Sequence, residues 1–483
     1  MTRLRKFGWV IPVLFFLFNI ILRAFGIEVN SLAGDEPYSV YFAQMDISDI
    51  LRHMRPGNNP PLYELFLHFW ESLFGIEEVA VRVPSLIFTG ITAAFLYKIG
   101  NEFFSKYTGI LAGLLFTFSN YATYFAHEAR VYALFGMLTC ISFYYFLRWV
   151  NNSYTTSTLV LFTIANALLL YAHYFGVMVI GLQVFFALLF SFREGKKLKV
   201  VVLSLAASFV LFGPYIPVVL EQFSVTREKG TWLLPPDGWP TIEYILMQFA
   251  NSKKVVTVLL CIIGLAVVFN LRHFRSMDRN LLVILAWFIV PFFGMYFISF
   301  EMPMFHNRYL MHAFVGFILV ISVASLSIIK LPIVQWIIPG ILLVCFVVKS
   351  ERSIDNGRHS REAVSKVQEL RDENTRVVMY PKYRILGYSY YFNRERFKKY
   401  DAEFGFYNVL EGFKEENFYG INQYSEARID SAVNKVIFMM TDGGPKEQLL
   451  EEFNYLFDVK SHYFFPEITD VFEMERDTGI IWD

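Results

Sequence analysis

Long apolar runs separated by short polar turns fill the first 350 residues of this 483-residue chain, and the pattern then changes to mixed, densely charged sequence. Residues 8–27, GWVIPVLFFLFNIILRAFGI, form a run of about 20 residues, enough for a helix to cross a hydrocarbon layer of about 30 Å. Its apolar part is too long for a signal peptide and no small-residue cleavage site follows, so it reads as a span. Similar runs centre on Ala93, Leu115, Ser142, Ala165, Ile180, Ala207, Gly264, Phe288, Ile318 and Leu342. The pattern therefore predicts a mainly α polytopic membrane protein with about eleven transmembrane helices.

Between the first two runs, Asn59 can cap a helix opening at Pro60 and Pro61. Leu62, Leu65, Phe66, Phe69, Leu73 and Phe74 recur there at helical spacing, with Glu64, His68, Glu71 and Ser72 on the other face. Such a helix is too short to span, which predicts an amphipathic helix along the outer membrane surface; packing on an outer domain is the alternative. Past Glu351, residues 376–380 (RVVMY) and 435–440 (KVIFMM) read as buried strands. The stretch PKEQLLEEFNYLF after Gly443 and Gly444 reads as an amphipathic helix. The expected division is a transmembrane domain over 1–350 and a small extracytoplasmic α/β domain over 351–483.

Composition agrees with the pattern. Apolar residues make up 55% of the chain and charged residues 18%, against roughly 25% charged in soluble proteins, which excludes a soluble single-core enzyme. The 43 basic and 43 acidic residues cancel, and with no basic excess there is no sign of a nucleic-acid partner. The zero hides two regions: from Glu351 onward there are 18 basic and 25 acidic residues, net −7, which leaves +7 for the first 350. With the amino terminus placed in the cytoplasm, the inner loops hold Arg3, Arg5, Lys6, Lys98, Lys106, Arg148, Arg193, Lys196, Lys197, Lys199, Arg272, Arg275, Arg279 and Lys330. Only Glu102, Glu194 and Asp278 oppose them. That bias predicts cytoplasmic inner loops and, with an odd number of spans, an extracytoplasmic carboxyl terminus in a multi-pass protein of the cell (inner or plasma) membrane. Cys140, Cys261 and Cys345 each sit in an apolar run and read as small buried hydrophobes.

The ionisable groups that could carry chemistry gather at the outer ends of the spans: Asp35 and Glu36 in AGDEPYS, His127, Glu128 and Arg130 in FAHEARVY, His173 and Tyr174 in YAHYFG, and Arg308 and Tyr309 in MFHNRYLMH. Adjacent carboxylates at a helix start point about 100° apart, so Asp35 and Glu36 should do different work. One can take a proton from a hydroxyl while the other holds acceptor, metal or an arginine. An arginine beside the membrane can bind a lipid phosphate through two parallel hydrogen bonds or snorkel to the headgroups. His127, His173 and His306 show no metal-site spacing, and no metal ligand set is assigned.

An Asp-Glu pair after the first span, then PPLY, RVPS and EARVYAL in that order, resembles the GT-C membrane glycosyltransferases, in the bacterial branch similar to protein O-mannosyltransferases, aminoarabinose transferases and lipopolysaccharide galacturonosyltransferases. The resemblance implies transfer of a sugar from a polyprenyl-phosphate donor to a hydroxyl of a protein, lipid or glycan acceptor on the extracytoplasmic face, with inversion. It places Asp35 as general base, Glu36 as the second catalytic acid, which would bind acceptor or organise the site, and Arg130 and Arg308 at the donor phosphate. His127, Glu128, His173, Tyr174 and Tyr309 would bind acceptor or organise the site. Some members use a divalent cation and others do not; Glu36 is the residue here that would bind one. A secondary transporter or lipid flippase is the alternative, but it calls for midplane charges, broken helices and repeated halves, none of which is evident.

The orientation is open to test by cysteine labelling of the tail on intact cells: an impermeant reagent should label a cysteine placed after residue 351, and labelling only after permeabilisation would mean that a span is miscounted.

Overall fold

The computed structural model describes residues 8–477 other than 33, 58, 232, 271–277, 330, 332–333, 399–410, 442–445 and 466–468. Arg3, Arg5, Lys6, Arg272, Arg275 and Lys330 of the charge bias, and the Gly443–Gly444 pair, lie outside the described residues. The chain forms two compact units. One gathers the chain up to Ile27 with Leu51–Tyr63 and Arg82–Ile354; the other gathers Glu28–Ile50, Glu64–Val81 and the chain from Asp355.

The first unit is helical. Six described helices are long and apolar enough to cross a membrane: Glu78–Phe103, Tyr132–Val150, Gly195–Lys229, Lys253–Asn270, Arg279–Ile298 and Asn307–Ser327. Val10–Ala24, Thr156–Ala172, Gly176–Ser191 and Ile337–Lys349 are shorter apolar helices. The expected run around Leu115 falls on the still shorter helix Lys106–Thr117, so every expected centre lies in a helix. Ser105, Ser119 and Thr155 cap helix starts by accepting a backbone N–H three residues on, each worth about 1 kcal/mol.

Helix Met311–Ser327 is the hub, packing against Lys106–Thr117, Tyr132–Val150, Lys253–Asn270, Arg279–Ile298 and Ile337–Lys349. Gly316 makes this approach possible: a Cβ there would lie 3.0 Å from the Phe288 backbone nitrogen. Where lipid gives no hydrophobic drive between helices, polar side chains join them. Gln183 Nε2 donates to Ser142 Oγ at 2.6 Å and Ser142 Oγ donates to Asn166 Oδ1 at 2.8 Å, linking three helices. Leu203, Val210, Val268, Phe297, Val344 and Val348 face outward, as a lipid-facing surface requires.

The second unit is built on a five-stranded sheet in the order β2-β1-β3-β5-β4, where β1 is Thr375–Tyr380, β2 Phe418–Gly420, β3 Lys435–Thr441, β4 Phe457–Phe465 and β5 Thr469–Arg476. The expected strands are β1 and β3, which pair in parallel with Val378 opposite Phe438. The expected helix is Lys446–Asn454, and Phe453 joins Val378, Phe438, Met440 and Met474 in the core. β5 runs antiparallel to both β3 and β4.

The polar face of helix Leu62–Phe74 turns inward. Ser39 Oγ donates to Glu64 Oε1 at 2.9 Å, and His68 Nδ1 lies 2.8 Å from the Ala43 carbonyl oxygen, so helix Glu36–Ala43 covers this face. Phe69, Leu73 and Phe74 are exposed, Leu73 by 76%. An apolar face turned outward is what a membrane-surface helix presents. Arg361 pairs with Glu78, Arg394 with Glu77, and Tyr390 Oη donates to the Ile76 carbonyl at 2.8 Å, fastening residues 64–81 to the later part of the unit.

Glu71 is buried on the same face, and neither of its oxygens has a hydrogen-bond partner among the described residues. Burial pushes its carboxyl well above the usual carboxylate range. An unfolded glutamate releases its proton near pH ~4.3, so the folded chain holds a proton that the unfolded chain has lost. Stability then falls by about 1.4 kcal/mol per pH unit as pH rises above ~4.3, until the folded group also ionises. Glu71→Gln should therefore unfold at a higher temperature than the parent at about pH 8 and at the same temperature near about pH 4. A stability difference that does not vary with pH would contradict this.

Candidate active site

In the second unit, Gly34 takes φ +64°, a conformation that costs an L-residue about 1–2 kcal/mol. It turns the chain into helix Glu36–Ala43, which has Pro37 in its first turn. The adjacent acids then part as expected. Glu36 is buried at 1% exposure, whereas Asp35 lines a cavity of about 230 Å³ with Tyr38, Arg358, His359, Arg384 and Tyr388. Burial, followed by the nearby Asp35 carboxylate, pushes the Tyr38 phenol up to about 12, with Arg384 opposing. Tyr38 Oη donates to the Tyr383 carbonyl. Tyr388 Oη and Thr469 Oγ1 share a hydrogen bond of 2.6 Å.

The other seven expected residues belong to the first unit. His127 follows helix Asn120–Ala126, and its Nε2 lies 2.6 Å from the Arg23 carbonyl oxygen. A carbonyl only accepts, so the proton sits on Nε2 and His127 anchors the turn. Ser85 Oγ donates to the Glu128 carbonyl at 2.7 Å, holding the same turn from a second helix. Glu128, Arg130, Arg308 and Tyr309 all lie within electrostatic reach of the Tyr132 hydroxyl, and both arginines also act on His173. These segments, far apart in sequence, therefore converge. The Arg308 guanidinium lies over the Tyr309 ring at 5.6 Å.

His173 occupies the turn between Thr156–Ala172 and Gly176–Ser191. The Phe175 N–H donates to its Nδ1 at 3.2 Å, which puts the proton of the neutral ring on Nε2. The ring stacks on Phe135 and Phe175 at 4.8 and 5.1 Å. His173, Tyr174 and Tyr309 line one end of a cavity of about 570 Å³, whose walls include Leu170, Val177, Phe209, Phe212 and Phe223. Tyr174 Oη donates to Gln222 Oε1, and Gln222 Nε2 donates to the Arg55 carbonyl at 2.7 Å. The result is an apolar chamber with a polar head beside two guanidiniums, a combination suited to a lipid that carries an anion.

Several residues in or beside the two cavities escape a reading of the sequence. Gln222 lies in no motif, Tyr132 stands inside FAHEARVY without a role of its own, and His312, within the MFHNRYLMH segment, is buried. Arg358 and Arg384 lie in ordinary charged stretches of the tail, and only the fold brings them to Asp35. Among the described residues no group of three or more His, Cys, Asp or Glu side chains is arranged to hold a metal ion.

Residues 58–220 match the family model described as dolichyl-phosphate-mannose-protein mannosyltransferase. This segment carries His127, Glu128, Arg130, His173 and Tyr174. The fold matches crystal structures of ArnT from Cupriavidus metallidurans over 97% of this chain and 98% of theirs, at 10% identity. The TM-score is 0.60 for the apo state and 0.61 for the form bound to undecaprenyl phosphate. The archaeal oligosaccharyltransferase AglB from Archaeoglobus fulgidus, in complex with an inhibitory peptide and a dolichol-phosphate, matches with a TM-score of 0.52 and 10% identity, over 90% of this chain and 69% of that one. No curated protein matches the sequence. The chain thus has the GT-C fold of a multi-pass membrane protein, and the resemblance read from its motifs is borne out.

A Cβ on Gly34 would come within 2.1 Å of Arg358 Nη1. Gly34→Ala should therefore lower stability by about 1–2 kcal/mol through the positive φ alone and displace the Arg358 guanidinium from Asp35. Thermal unfolding of the purified variant checks the first effect; an unchanged midpoint would argue against the strained turn.

Proposed function

We propose that this chain is a membrane glycosyltransferase that moves a sugar from a polyprenyl-phosphate donor to an acceptor hydroxyl on the extracytoplasmic face, with inversion. The observation that carries the reading is the convergence of Arg130 and Arg308 on Tyr132 and His173 beside the polar head of the apolar cavity. The prenyl chain lies along Leu170, Phe209, Phe212 and Phe223, and the phosphate meets the two guanidiniums. The undecaprenyl phosphate bound by ArnT and the dolichol-phosphate bound by AglB support a donor of this class.

In the proposed reaction the acceptor oxygen attacks the anomeric carbon, the bond from that carbon to the phosphate oxygen breaks, and the electron pair leaves with the polyprenyl phosphate. Asp35 takes the hydroxyl proton, a role for which its position on an open polar cavity suits it. Glu36, being buried, holds the start of its helix. Arg130 and Arg308 stabilise the negative charge that grows on the leaving phosphate, and in a site screened from water such fixed charges are worth most. The neutral His173 offers an Nε2–H to the same oxygens.

Purified protein in nanodiscs, assayed with a panel of polyprenyl-phosphate sugars, should release polyprenyl phosphate from one of them and give a product of inverted anomeric configuration. Asp35→Asn should cut turnover by roughly 10²–10⁴-fold with the unfolding temperature preserved. Arg130→Ala and Arg308→Ala should raise the donor KM about tenfold or more. Near-parental turnover by Asp35→Asn would remove Asp35 as the base, and unchanged donor kinetics in both arginine variants would remove the phosphate assignment.

A further inference from the structure

The polar cavity beside Asp35 is lined by more basic side chains than acidic ones. Arg358 comes from the loop that leads into helix Ser360–Leu370, and Arg384 comes from the start of helix Ile385–Phe392. The two arginines both act on the Tyr388 hydroxyl, and Arg384 and Asp35 both act on that of Tyr38, so the three charged groups surround one small space. The absence of a side chain at Gly34 brings the Arg358 guanidinium against the residue that precedes Asp35. Two guanidiniums and one carboxylate thus line the same cavity.

Arg384 lies 5.2 Å from the centre of the Tyr383 ring, and its Nε is buried without a hydrogen-bond partner among the described residues. A guanidinium held by an aromatic ring, with a donor left over, is poised to bind an oxyanion. The His359 ring lies 3.9 Å from Glu362 and is already associated with an acid, so the recognition rests on the arginines and phenols.

We infer that this cavity is an oxyanion subsite for the acceptor: the molecule that gives its hydroxyl to Asp35 also carries a phosphate or carboxylate, which Arg384 and Arg358 bind. The inference rests on the proposed role of Asp35. The occupant is assigned to the acceptor because the base that removes the acceptor proton lines the same space. The acceptor class is thus an anionic glycan or lipid headgroup, and the reaction that supplies it must already have installed the acidic group.

The test uses the full-length protein in nanodiscs with glycerol 3-phosphate, glucuronate and glucose as probes. Both anions should raise the unfolding temperature and inhibit transfer competitively with acceptor, while glucose does neither. Arg384→Gln should weaken anion binding at least tenfold and Arg384→Lys should restore part of it, which separates lost recognition from lost folding. The relative response to the phosphate and the carboxylate shows which anion the acceptor carries. Equal anion binding by parent and Arg384→Gln, or inhibition competitive with donor, would overturn the inference. Sugar transfer that ignores Arg384→Gln overturns the subsite and leaves the proposed function standing; anion binding that depends on Arg384 in a protein that turns over no donor stands for the subsite and overturns the function.

Discussion

A guanidinium buried among apolar helices must find its hydrogen bonds inside the protein, and Arg23 imposes that demand on the first unit. It is 1% exposed at the end of helix Val10–Ala24. Nη2 donates to the Phe116 carbonyl at 2.6 Å, Nη1 donates to Asn19 Oδ1 at 3.2 Å, and Asn19 Nδ2 donates in turn to Thr117 Oγ1 at 3.1 Å. The Phe116 ring packs under the guanidinium at 4.9 Å. Because the carbonyl of Arg23 itself accepts from His127, the first helix, the helix ending at Thr117 and the turn carrying Glu128 and Arg130 are locked by one set of bonds. Stripping partners from a buried charge costs about 3–5 kcal/mol, so this set fixes where the turn stands and, through it, where its charges point.

The two cavities divide two kinds of recognition. The larger is walled mostly by aliphatic and aromatic side chains, with a histidine in a defined neutral tautomer and two tyrosines among its polar groups. Area and shape dominate there, and area tolerates variation in chain length. The smaller carries charged and phenolic side chains, and its arginines come from segments next to the helices Ser360–Leu370 and Ile385–Phe392. Fixed charges and a strained glycine turn discriminate more sharply than apolar walls.

The helices were legible because hydrocarbon leaves backbone groups no partner but their own helix, so apolar length alone reports a span. The acidic pair was legible for a local reason: a proline after Glu36 predicts a helix start, and a helix start separates neighbouring side chains. What stayed hidden depends on long-range packing. Glu64 and Glu71 stand on the polar face of an amphipathic pattern, yet they are buried, because that face turns inward, where helix Glu36–Ala43 meets Glu64 and His68. The β4–β5 hairpin escaped because β4 is mostly exposed along its length and lacks a clean alternation. Arg358 and Arg384 escaped because nothing beside them in sequence marks a cation that will meet an aspartate more than 300 residues earlier.

That separation has a consequence for biosynthesis. The residues that tie down the segment 64–81 arrive late: Tyr390 is 314 residues beyond the Ile76 carbonyl it bonds, and Arg361 is 283 beyond Glu78. At about 5–20 residues per second, the segment waits on the order of 15–60 s, with its inward-facing carboxylates only partly covered. The spans can enter the bilayer in order during that interval, while the second unit closes only after residues 361–394 have been made. A chain cut before residue 361 would therefore be inserted with Glu77, Glu78 and the Ile76 carbonyl deprived of these partners.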